Sequence, residues 1–137
     1  MSTGNEEISQ VLLAQRIRNR IIEYLELASS FEGQLAYQAK APIAHVAAEV
    51  INQWEDSVHD PNDVFFANPV FSKAEQEAIR TFHGIWDRVA GDTPNPLPEL
   101  SILMEGEPWQ RLQEAAVSAM EIFQRRGKFD EEKEVFA

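Results

Sequence analysis

The sequence predicts an all-α protein: an antiparallel bundle of about four helices, with an irregular aromatic loop and a Pro-rich connection. Three observations predict it. Apolar residues recur at steps of three or four along four segments, the spacing of one helix face. No stretch alternates convincingly with period two, so no sheet is expected. Strong breakers separate the segments: Pro42, the turn Asp60-Pro61-Asn62-Asp63, and three prolines between Asp92 and Pro98.

The first segment runs from about Glu6 to Ala39. Its stripe is Ala14, Ile17, Ile21, Leu25, Ala28, Phe31 and Leu35. Unbroken, it would span about 50 Å at about 1.5 Å per residue. A kink or break is expected at Ser29, Ser30 and Gly33, which are weak helix formers. Pro42 stops the segment. The second helix covers Ala47 to Val58, with Ala47, Val50, Ile51, Trp54 and Val58 on one face. The third opens on the capping box Ser72-Lys73-Ala74-Glu75 and buries Ile79, Phe82, Ile85, Trp86 and Val89. Gly91 stands where a left-handed cap would end it. A short helical turn is expected at Glu99 to Met104. The fourth helix starts near Pro108, carries Trp109, Leu112, Ala116, Ala119 and Phe123, and ends at Gly127.

A length of 137 residues fits one domain, 1–137, with residues 1–5 and 128–137 expected to fray. Hydrophobic residues are 44% and charged residues 26%, which argues for a packed globular chain over a disordered one. Cysteine is absent, which removes disulfides and thiolate chemistry. The acidic stretch Met1 to Glu7 shows no secretory signal, and no apolar run reaches the roughly 20 residues a membrane span needs. A cytoplasmic protein is expected. Formal net charge is −11, from 23 acidic and 12 basic residues, so neither nucleic acid nor an anionic membrane is an expected partner.

No glycine-rich phosphate loop or glycine-flanked nucleophile is present, so no catalytic residue is assigned. The candidate metal ligands are Glu23, Glu26, Asp56 and His59. Glu23 and Glu26 stand three apart, as do Asp56 and His59, a spacing that puts two ligands on one helix face. Magnesium-dependent all-helical nucleotide pyrophosphatases use such glutamate pairs, and di-iron bundles repeat a glutamate–histidine pair on two helices. The matching half of either pattern is missing, and Glu23 should face water. No metal or cofactor is therefore expected. Arg16, Arg18 and Arg20 splay around a helix and read as surface pairs with nearby glutamates. Arg125, Arg126 and Lys128 sit where cations complement a helix dipole. The three tryptophans, one on each of the last three stripes, read as core.

Two features point outward. Val64-Phe65-Phe66-Ala67-Asn68-Pro69-Val70-Phe71 is unusually apolar for a loop. It either plugs the bundle, the favoured reading, or offers Phe65 and Phe66 to a partner. Asp56 and Asp60 each fall within about 20° of Glu49 on the outer face of the second helix. Asp63 lies beyond them, and residues 41–72 contain no lysine or arginine. This line is either solvated charge or a docking face for a basic protein. The leading expectation is a small bacterial protein-binding module, in one form an immunity protein that neutralises a basic toxin or nuclease. The alternatives are a metal-dependent all-helical enzyme and a homo-oligomeric scaffold. The sequence leaves oligomeric state open.

Overall fold

The computed structural model describes residues 9–136. Every regular element in that range is helical: α1 (Gln10–Ala28), α2 (Phe31–Lys40), α3 (Val46–Ser57), a 3₁₀ turn η1 (Val64–Ala67), α4 (Lys73–Asp92), α5 (Leu100–Leu103) and α6 (Glu107–Gln124). The expected start at Glu6 lies outside the described residues. Ser9 is the N-cap of α1, its hydroxyl accepting from the Leu12 N–H at 3.0 Å.

Among the described residues six α-helices stand where the spacing predicts about four, chiefly because the first segment is two helices. The break falls where weak helix formers predict it. Ser29 closes α1, and Ser30 caps α2 by accepting from the Gly33 N–H at 2.8 Å. A Cβ on Gly33 would approach the Ser30 hydroxyl to 3.0 Å, so this cap favours glycine. The turn re-aims the chain, and Leu35, expected on the stripe, is exposed. Gln34 is buried instead. Its amide donates to the carbonyls of Leu27 and Ala28 and accepts from the Trp109 indole at 3.0 Å, tying the joint to α6.

Two helix ends differ from expectation. Gly91 does not cap α4, which continues to Asp92, where the Thr93 hydroxyl donates to the Val89 carbonyl at 2.6 Å. Gly127 does take a left-handed φ of 73° and ends the helical run after α6. The capping box at Ser72 forms in full.

The core is one apolar cluster drawn from every helix except α2, whose Phe31 and Tyr37 pack against its margin. α4 lies most extensively against α6, and α1 touches both α6 and α3. Trp54, Trp86 and Trp109 are all buried, as their stripes predict. Each indole N–H is satisfied, by His83 Nδ1, the Ile51 carbonyl and Gln34 respectively. The segment after α3 is not irregular throughout. Val64–Ala67 forms η1, and Phe66, Val70 and Phe71 are buried with Phe65 packed against them. Residues 93–99, with Pro94, Pro96 and Pro98, contain no helix. Residues 128–136 contain none either, but they are tied to the body of the fold by hydrogen bonds. They run back along α1, where Gln15 and Asn19 hold their backbone. Among the described residues no helix is long and apolar enough to cross a membrane.

Candidate functional site

The acidic edge is built by α3, the turn after it, and η1. Its members are not equivalent. Glu49 is half-buried and accepts from the Tyr37 hydroxyl at 2.7 Å and from Gln53 at 2.8 Å, so it ties α2 to α3 rather than facing a partner. The bond to Glu49, with some desolvation, raises the Tyr37 hydroxyl above its ordinary range. Asp60 accepts from the Asn62 N–H at 2.9 Å, and Asp63 caps η1 by accepting from the Phe65 N–H at 2.8 Å. Glu55, Asp56, Asp60 and Asp63 are exposed. Among the described residues none of the four joins an ion pair. Val64, directly beyond Asp63, is 85% exposed and gives the edge an apolar tip. Phe66 is buried and Phe65 half-buried, so these two rings fill the core instead of reaching outward.

The candidate metal ligands do not converge. Glu23 pairs with Arg20 at 3.5 Å and Lys128 at 3.3 Å, and Glu26 reaches Lys128 at 4.0 Å. Glu23 and Asp56 do line one cleft of about 220 Å³ between α1 and α3, but Arg20 lines it with them. His59 is exposed beyond the end of α3. Among the described residues no group of three histidine, aspartate or glutamate side chains is placed to hold an ion. A separate groove of about 410 Å³ opens between α4 and α6. Its walls are Ala78, Thr81, Ile85, Ala115, Ala119 and Ile122, with Glu77 as its one titratable side chain.

The strongest electrostatic feature is one that the spacing of the arginines does not suggest. Arg18 is not a surface residue: its side chain is 0% exposed and Glu75, its partner, is 1% exposed. Arg18 Nη2 meets Glu75 Oε2 at 2.8 Å and Nε meets Oε1 at 3.1 Å. Its remaining donors go to the carbonyls of Phe123 and Gly127. Arg126 joins from the end of α6, reaching Glu75 Oε1 at 2.5 Å and the Val70 carbonyl at 2.7 Å. It serves this triad rather than the helix dipole. Burial pushes the Glu75 carboxyl up, but the bonds from Arg18, Arg126 and the Ser72 N–H outweigh it and hold it below its ordinary value of 4.5. Glu75 thus caps α4 and pairs with two guanidiniums at once, which leaves the triad with a net charge of +1. Its role as a cap is legible in sequence; its role as a buried counter-ion is not. No protein-family model, curated protein or solved structure significantly matches this chain.

Proposed function

We propose that the protein is an acidic protein-binding module that docks a cationic protein on the α3–η1 edge, in the manner of an immunity protein or inhibitor that neutralises a basic toxin or nuclease. One observation carries the reading: Glu55, Asp56, Asp60 and Asp63 are exposed, and the stretch 41–72 holds no lysine or arginine to neutralise them. Exposed carboxylates that form no ion pair speed encounter with a basic surface and fix its orientation. Val64 at the tip of the edge offers such an interface an apolar contact.

The test is capture from an extract of the host at low and at physiological salt. It compares the native chain with a variant carrying Glu55→Lys, Asp56→Lys, Asp60→Lys and Asp63→Asn, the last chosen to keep the η1 cap. A cationic protein retained by the native chain, lost by the variant and weakened by salt supports the reading. Equal retention of the same proteins by both refutes it.

A further inference from the structure

The tail after α6 is held in a way that apolar packing alone does not require. The Asn19 side-chain amide donates to the Phe129 carbonyl at 2.8 Å and accepts from the Phe129 N–H at 2.9 Å. One helical turn earlier, Gln15 donates to the carbonyls of Asp130 and Lys133 and accepts from the Val135 N–H, all within 2.8 Å. Arg16 Nε adds a bond to the Glu131 carbonyl at 2.8 Å. These bonds go to peptide groups, which every residue carries.

Side-chain selectivity enters at three places. The Glu131 carboxylate takes Asn19 at 2.9 Å and Arg20 at 3.3 Å. The Phe129 ring lies 3.9 Å from the Arg18 guanidinium. Phe136 packs on Phe129 at 5.0 Å and lies 5.4 Å from Arg126. Gln15 and Asn19 are 0% and 1% exposed, and every bond recorded for their side chains goes to the tail. A helix face meant simply to be covered would carry leucine at those two positions. Buried amides are useful where a backbone must be read.

The occupant itself is loosely built. Residues 128–136 have no helix, and Glu132, Lys133, Glu134 and Val135 are exposed. Gly127, at positive φ, turns the chain just before them.

We propose that the outer face of α1 is a peptide-binding face for a non-helical acidic segment that turns as the tail does at Asp130, with a phenylalanine at each end, and that the protein's own tail is its resident occupant, displaced by a partner segment of the same chemistry. The proposal is independent of the α3–η1 edge. The resident tail competes at a high effective concentration, so a free segment binds tightly only when the tail is weakened.

The probe is a fluorescent peptide of residues 128–137, read by anisotropy against the full-length chain. A Phe129→Ser/Phe136→Ser chain, checked for helix content, should bind it at least about tenfold more tightly than the native chain does. Adding Asn19→Ala to that variant should weaken binding by about tenfold or more, since one buried amide loses two backbone bonds. A peptide with both phenylalanines replaced by serine should not bind. If the double variant fails to fold, Glu131→Lys provides the same release, because it breaks the contacts of Glu131 to Arg20 and Asn19 while leaving Arg18 and Glu75 in place. A folded tail-weakened chain that ignores the peptide at about 100 µM, or binds it equally with and without Asn19, overturns the proposal.

Discussion

Replacing Glu75 with alanine removes the carboxylate that neutralises Arg18. The Arg18 side chain is 0% exposed, so water cannot take over the lost role without opening the core. Its remaining contacts are two helix-end carbonyls and the rings of Phe123 and Phe129. Those solvate the cation but do not cancel its charge. Removing one partner of a buried pair costs about 3–5 kcal/mol. The variant also loses the Glu75 half of the α4 capping box, worth about 0.5–1 kcal/mol more. A chain of this length has a total stability on the order of 7–20 kcal/mol. At about 4 °C per kcal/mol, the melting temperature should fall by about 14–24 °C. Arg126 is 30% exposed and can rehydrate, so Arg126→Met should cost about 1 kcal/mol. Arg18→Met should fall between the two, since Glu75 keeps Arg126. Combining Arg18→Met with Glu75→Met should recover part of the loss, because an apolar pair needs no counter-ion. Thermal and urea unfolding followed by circular dichroism give the order directly. A Glu75→Ala chain within about 1 kcal/mol of native, or one more stable than Arg126→Met, would refute the reasoning.

Other expected outcomes follow from the same contacts. Phe66→Ser should cost about 3 kcal/mol or more by opening the Phe65–Phe66–Phe71 cluster, and an unchanged urea midpoint would mean the ring is not part of the core. Glu49→Lys should destabilise by about 1–2 kcal/mol through its bonds to Tyr37 and Gln53, whereas Asp56→Lys should stay within about 0.5 kcal/mol; equal losses would contradict the division between them. Backbone N–H groups of Glu132 and Lys133 hold the Asp130 carboxyl below its ordinary value, and the bond from Asn19 does the same for Glu131. Together with Glu75, these groups add stability that is present above their ordinary values and lost as pH falls through the lower folded ones. The urea midpoint should therefore drop between about pH 5 and pH 2, and a flat profile there would count against the triad.

The fold was legible wherever a segment has one apolar stripe. The three tryptophans, the Ser72 box and the Ser29–Ser30 break follow from local spacing and chemistry. What escaped was the second buried line of α1. Gln15, Arg18, Asn19 and Ile22 share a face at helical spacing, but three of the four are polar. By pattern they mark a solvent side. Their burial depends on Glu75 and on residues 129–135, which lie more than 50 positions away, and no local rule carries that information. The tail looked free for the same reason: its charges are ordinary surface charges, and its anchors are its peptide groups. The α3–η1 edge was legible as charge but not as geometry, since nothing in its spacing distinguishes Glu49, committed to Tyr37, from the exposed Asp56.

These two blind spots are connected through charge. Arg16, Arg18, Arg20, Arg126 and Lys128 all engage carboxylates on α1, α4 or the tail. Arg18 and Arg126 converge on the single buried carboxylate of Glu75, and Arg16 and Arg20 meet the acidic tail. Five of the twelve cations of an already acidic chain are therefore engaged around α1, Glu75 and the tail. None comes from residues 41–72. The α3–η1 edge is left with exposed carboxylates and no neighbour in sequence to neutralise them. A change that frees Arg16 or Arg20, such as displacement of the tail, alters the charge facing solvent on α1 while leaving the α3–η1 edge acidic. Binding at the two surfaces should then respond to salt in different ways: at α3–η1 through steering of a cation, and at α1 mainly through backbone hydrogen bonds that salt screens weakly.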